Sequence, residues 1–330
     1  MENNYGFVGR LSQEFPSQIM LDITEVCNLA CIHCAHPKFK ESDVYAKAML
    51  DPELNIKMVK EVAKYGKNIT KYIRYTSNGE PLVHPKSYEM INYAVDHSDT
   101  KTTLTTNGTL LNEKKMLRLL NSGLHMIDIS IDATTPDTYS KIRVNGDFNK
   151  TKTNVLKLID LINKSTFNTK LVVSFVEQKQ NLHESDEFKD YWTEQGVKDV
   201  VIRKLHTNSG SNFHNAIYEK NKKIERRPCL YPWERVVLTA KGNLNFCPTD
   251  WFGQANICNY NETTIKDLWN SLFYNNLRNK HMCNKYENND ICKNCPDWSN
   301  TSWPFDKEKS YADLVEKVLY DEQEKRVNNW

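Results

Sequence analysis

The sequence predicts an α/β protein: a partial (β/α)6 barrel followed by a small cysteine-rich α+β domain at the C-terminal end. Two observations predict this. Short β-branched runs alternate with amphipathic helical stretches throughout the first 205 residues, the pattern of a parallel sheet with crossover helices. Beyond residue 205 that alternation stops, and six of the nine cysteines follow.

The first strand is "IMLDIT" at 19–24, and the apolar spacing of "NIKMVKEVAKYG" gives a helix ending at Gly66. Next come strand "KYIRYT", helix "PKSYEMINYAVDHS", strand "KTTLTT", and helix "NEKKMLRLLNSG" stopped by Gly123. Strand "HMIDISI", helices "TPDTYSKIR" and "NKTKTNVLKLIDLINKS", strand "TKLVVSFV", helix "ESDEFKDYWTEQG" and strand "KDVVIRK" complete the series. Glycine stops and β-branched runs decide helix against strand. Right-handed crossovers curl such a sheet toward a barrel, whose ligands sit at the C-terminal ends of the strands. Further on, "ERVVLTAKGNLNFC" reads as a β-hairpin turning at Lys241-Gly242-Asn243, and "NETTIKDLWNSLFYNNLRNK" as one helix. "SYADLVEKVLYDEQEKRVNNW" reads as a terminal helix. The expected division is 1–205 barrel, 206–228 linker, 229–298 cysteine-rich domain and 299–330 helical tail.

The 44 basic and 42 acidic side chains nearly cancel, so no field for nucleic acid is expected. The one dense basic run, "EKNKKIERR", reads as a solvated loop. Mean hydropathy is −0.67. Without a signal-like or membrane-length apolar run, a cytoplasmic protein with no membrane partner is expected. Disulfides are disfavoured there, which leaves metal ligation or reactivity for the thiols.

Cys27, Cys31 and Cys34 form Cys-x3-Cys-x2-Cys directly after the first strand, on the ligand-binding end of the predicted barrel. Thiolates suit zinc or iron–sulfur clusters. Zinc wants a fourth ligand, for which His33 and His36 stand nearby. On a [4Fe–4S] cluster, three thiolates leave one iron open to a small molecule.

With Asn78-Gly79-Glu80-Pro81 after the second strand, "TTNG" at 105–108 and "ISIDATTPDTYSKIR" at 129–143, the segment 17–205 resembles the radical S-adenosylmethionine (SAM) enzymes. Asn78 stands where the family commonly has glycine. The resemblance implies that SAM chelates the open iron, with Gly79 and Glu80 receiving its amino group and Ile32 near the adenine. Ser130 and Asp132 would meet its ribose or carboxylate, and Glu177 would contact SAM or substrate. One-electron cleavage of SAM would yield a 5′-deoxyadenosyl radical, the electron coming from an external reductant such as flavodoxin or ferredoxin.

Cys229, Cys247, Cys292 and Cys295, with Gly242 five residues before Cys247, resemble the SPASM extension of that family. Thr301 and Phe305 stand where its next cysteines would fall, so the truncated single-cluster form, the twitch domain, is implied. The four would close a second [4Fe–4S] cluster; a zinc ribbon at Cys292-x2-Cys295 is the alternative. The spacing is close to that of the aminocyclitol (2-deoxy-scyllo-inosamine) dehydrogenase group of aminoglycoside biosynthesis.

That likeness implies oxidation of a carbinol carbon on a small, sugar-like substrate, with an electron passing to the auxiliary cluster. Arg203 and His206 at the sixth strand end are the candidate cation and base. Epimerisation, with Cys283 as hydrogen donor and Cys258 as second candidate, is one alternative. Peptide modification is another; it is disfavoured by the 18 residues before the first strand. A non-catalytic metal-binding module is the last. The aromatic residues of "PCLYPWERV" and "PTDWFGQ" either pack on a sugar ring or shield the cluster.

Overall fold

The computed structural model describes residues 5–76, 78–207, 226–286 and 290–327. The expected linker and the basic run at 219–227 lie largely outside the described residues. Six parallel strands form in sequence: β1 (Gln18–Asp22), β2 (Tyr72–Thr76), β3 (Lys101–Thr106), β4 (Met126–Ser130), β5 (Lys170–Glu177) and β6 (Asp199–Lys204). Helices cross over between them, as the alternation predicts. β1 ends sooner than "IMLDIT" suggests, because Thr24 leaves the sheet to form an antiparallel bridge with Met49.

Helix starts follow local capping chemistry. Asp51 accepts from the Glu53 amide with Pro52 in the first turn, Asn112 accepts from Lys115, and Asp147 from Lys150. Each side chain satisfies an amide that has no partner inside its helix. The stretch expected as one helix over "NETTIKDLWNSLFYNNLRNK" is two, Ile265–Trp269 and Leu272–Met282. Ser271 is extended and caps the second through the Tyr274 amide, so its hydroxyl restarts the helix instead of continuing the first.

Alternation along the strands separates two cores. Ile19, Leu21, Ile73, Tyr75, Ile127 and Phe175 face the crossover helices, where Met58, Val62 and Leu119 are fully buried. On the opposite face Tyr72, Met126, Val172 and Val201 pack on Val315 and Val318. The predicted C-terminal helix, Tyr311–Val327, is therefore not a peripheral tail: it packs on the inner face of the half-barrel. Tyr320 donates to the Lys71 carbonyl beside the start of β2 (2.7 Å).

The hairpin also forms, from β7 (Arg235–Leu238) and β8 (Asn243–Asn245), with β9 (Asn256–Asn259) added beyond it. Gly242 in the turn has φ +76°, and a Cβ there would lie 2.7 Å from Leu54 Cδ1. β7 pairs in parallel with β1, so the sheet runs continuously in the order β6-β5-β4-β3-β2-β1-β7-β8-β9. The expected start of a separate domain at residue 229 does not interrupt it. Among the described residues, no helix is long and apolar enough to cross a membrane.

Candidate active site

The loop after β1 holds Cys27, Cys31 and Cys34 together. The Cys34 amide donates to the Cys31 carbonyl (3.1 Å), Ala30 to Val144 (2.9 Å), and Ile32 to Ile142 (3.0 Å). Half-buried Ile32 is thereby tied to the 129–143 motif. Amides also point at sulfur: Leu29 N–H at Cys27 Sγ and His36 N–H at Cys34 Sγ, each at 3.4 Å. Burial pushes the Cys27 and Cys34 thiols up to about 12 and raises Cys31 as well. Thiols so placed ionise only beside a strong cation, which fits an iron–sulfur cluster. Neither neighbouring histidine is held as a plain fourth ligand. His36 Nε2 lies 2.9 Å from the Glu25 carbonyl, and His33 lies between Asp132 (3.6 Å) and Gln178 (3.3 Å).

The glutamate motif is locked to this loop. The Glu80 amide donates to the Val26 carbonyl (2.9 Å). A Cβ on Gly79 would meet Val26 backbone atoms at 2.2, 2.6 and 2.8 Å, so only glycine permits the approach. The Glu80 carboxylate is buried and accepts from the Thr106 hydroxyl (2.6 Å), the Asn107 amide (2.8 Å) and the Leu82 amide (3.2 Å). Asn107 in turn donates to Asn28 in the cysteine loop (3.0 Å). Three motifs far apart in sequence thus form one hydrogen-bonded unit. Much of Glu80's acceptor capacity is used inside it.

Asp132, expected to meet the ribose or carboxylate of SAM, is held by protein partners. It is fully buried, pairs with Arg143 (2.5 Å), and accepts from the Val176 amide (2.7 Å). Arg143 also reaches Cys31 Sγ (3.8 Å), so the aspartate orients a cation beside a thiol. Ser130 is buried at the end of β4, and Glu177 is half-buried at the end of β5.

Cys229, Cys247, Cys292 and Cys295 come together around one cavity, with Tyr231, Phe246, Thr249 and Ile291 among its other walls. Burial raises Cys229 and takes Cys295 to about 12. The donor set fits a closed cluster. Arg203 and His206 line a neighbouring chamber of about 180 Å³ with Arg74, Arg235 and Tyr311, and Tyr231 and Thr249 border both spaces. Cys283 is placed elsewhere: it is exposed at the end of helix Leu272–Met282 and lines none of these spaces. It is not positioned as a hydrogen donor to that chamber. Cys258 sits on β9, partly buried against the apolar core.

Sequence reasoning missed Arg74, Asp128, Asp22 and Tyr311. The first three carry a usable signal, an ionisable residue inside an otherwise apolar strand. Asp22 lines a further cavity with Trp251, Phe252 and Asn78. Burial, then Asp250 and Glu25, push its carboxyl up to about 8. A carboxyl raised on folding contributes stability while protonated and loses it as pH rises toward the folded value. Asp22→Asn is therefore expected to be more stable than the parent by a margin that grows from about pH 4 to about pH 8, read by thermal unfolding across that range. A margin flat with pH would contradict it.

The radical SAM superfamily model matches residues 21–184, over the loop and motifs just described. The chain belongs to the radical SAM superfamily. A second model, SPASM, described as an iron–sulfur cluster-binding domain, matches residues 229–296. SAM and [4Fe–4S] clusters are the cofactors of this pairing. Among curated relatives, a probable GTP 3′,8-cyclase of Methanococcus maripaludis is 34% identical over 49% of each chain. The chain spans about half the length of that cyclase relative. An AdoMet-dependent heme synthase of Methanosarcina barkeri is 25% identical over 85% of this chain and 91% of its own. Two solved structures share the fold. BtrN in complex with AdoMet and 2-DOIA has a TM-score of 0.59 at 16% identity, covering 85% of this chain and 92% of BtrN. Streptococcus suis SuiB bound to precursor peptide SuiA has a TM-score of 0.64 at 15% identity, covering 80% of this chain and 67% of SuiB.

Proposed function

We propose that this radical SAM protein oxidises a carbinol carbon of a small polar substrate held in the chamber lined by Arg203 and His206. The observation carrying this reading is the wall of Tyr231 and Thr249, which that chamber shares with the four-cysteine cavity. Cys27, Cys31 and Cys34 would hold the SAM-binding cluster, and Cys229, Cys247, Cys292 and Cys295 a single auxiliary cluster suited to one-electron transfer. When bound, the first cluster and SAM supply a 5′-deoxyadenosyl radical able to take hydrogen from an unactivated carbon. Gly79 keeps the glutamate motif against the cysteine loop, so the SAM-binding edge is set before substrate arrives. Arg203 stabilises charge on the substrate oxygen, and His206 accepts its proton. Helix Tyr311–Val327 excludes water from the inner face. An external one-electron donor such as flavodoxin or ferredoxin completes the system.

The exposed position of Cys283 disfavours epimerisation with that thiol as donor. The test is an anaerobic assay with dithionite and a panel of sugars, sugar acids and aminocyclitols deuterated at carbinol carbons. Deuterium in 5′-deoxyadenosine together with a product lighter by two hydrogens is expected. Product of unchanged oxidation level carrying carbon-bound solvent hydrogen would overturn the oxidation reading.

A further inference from the structure

On the inner face of the half-barrel two guanidiniums crowd one carboxylate. Arg74 from β2 and Arg203 from β6 both approach Asp128, at 3.7 and 3.8 Å. Asp128 is fully buried and already accepts from the hydroxyls of Ser174 and Tyr311. Arg235 is matched separately: it pairs with Glu234, which also takes Arg10, and Arg10 is paired in turn with Asp313 and Glu316. Two guanidiniums therefore share one carboxylate at the chamber floor, and buried Asp297 faces His206 from the side.

The floor is also preset. Both guanidiniums lie over the Tyr311 ring, 4.6 Å away for Arg74 and 4.3 Å for Arg203. Arg74 is further held by Thr105 (2.9 and 3.0 Å). Stacking fixes the planes of the two forks without using their N–H donors. Among the described residues, buried Arg203 Nε and His206 Nδ1 have no hydrogen-bond partner. Leaving such groups unsatisfied is costly, and an incoming oxyanion would relieve that cost.

We propose that the chamber floor, built by Arg74 and Arg203 on the Tyr311 ring, is a binding site for a carboxylate of the substrate on the carbon next to the carbinol, whose oxygen then lies toward Arg203 and His206. It deepens the oxidation reading and rests on it for the word substrate. Two guanidiniums already sharing one buried carboxylate suit a monoanion better than a doubly charged phosphate, and the Arg203 fork, with the end of Arg74 that Thr105 does not hold, can meet the two oxygens of a carboxylate. An aminocyclitol cation is the wrong sign; a hydroxy acid or sugar acid is the right one.

The experiment is calorimetric titration of cluster-loaded, SAM-bound protein with sodium acetate, acetamide and inorganic phosphate at constant ionic strength. Acetate is expected to bind saturably, and acetamide at least about tenfold more weakly, the worth of one charge-assisted hydrogen bond. Phosphate should also bind more weakly than acetate. Arg203→Gln and Arg74→Gln should each weaken acetate about tenfold or more. Tyr311→Phe keeps the ring but frees Asp128 to compete, and should weaken acetate severalfold. Iron content and circular dichroism identify any variant that fails to fold, and the remaining variants then carry the test. Absence of saturable acetate binding would overturn the proposal. So would equal binding of acetamide, tighter binding of phosphate, or acetate affinity unchanged in the folded arginine variants. No turnover is read, so carboxylate binding that persists while deuterium transfer fails would remove the oxidation reading alone.

Discussion

Cys31→Ala is expected to abolish SAM cleavage and to lower iron from about eight to about four per chain, the content of two clusters against one. Cys31 is the buried member of the N-terminal trio, in contact with Arg143 at 3.8 Å. Losing it removes a thiol that two neighbours on one short loop cannot replace. Cys31→Ser separates ligation from packing, since a hydroxyl can still face Arg143 but is a poor ligand for iron. Both variants should lose 5′-deoxyadenosine formation, while the iron at the four-cysteine cavity persists because that site is built from other elements. Iron analysis, electron paramagnetic resonance of the reduced protein and chromatography of 5′-deoxyadenosine check this. Full iron content with normal cleavage in Cys31→Ala would remove the trio from the mechanism.

Gly79→Ala is expected to destabilise the protein by about 3 kcal/mol, in the range of severe overpacking, and to impair cluster loading. The obstructing atoms are the Val26 carbonyl oxygen and carbon and the Val26 nitrogen, at 2.2, 2.6 and 2.8 Å. These are backbone atoms, so no rotamer change relieves the contact. Relief requires pulling the glutamate motif away from the loop, which stretches the Glu80 amide bond to Val26 and disturbs the Asn107–Asn28 link. Thermal unfolding and iron content read the effect. An alanine variant as stable and as iron-rich as the parent would show that the close approach is dispensable.

Much of this architecture is legible in the sequence because the signals are local. Six strands and their helices follow from spacing and caps, and each group of cysteines converges as its spacing suggests. Long-range pairing is harder to read. Nothing local in "ERVVLTAKG" says that β7 will align with β1, since parallel pairing depends on three-dimensional closure. The placement of helix Tyr311–Val327 is similarly hidden: its partners Tyr72, Met126, Val172 and Val201 come one from each of four strands. The partners of Asp132 are hidden for a related reason. Its strand-end position suggests a ligand contact, but Arg143 lies close enough in space to claim the carboxylate.

The ladder from Gln18 to Leu21, paired with Arg235 to Leu238, has a mechanical consequence. The cysteine loop after β1 and the two cysteines flanking the hairpin, Cys229 and Cys247, are therefore tied to one pleated surface. Under the proposed oxidation, the hairpin cysteines would then be carried on the same backbone scaffold as the loop that follows β1.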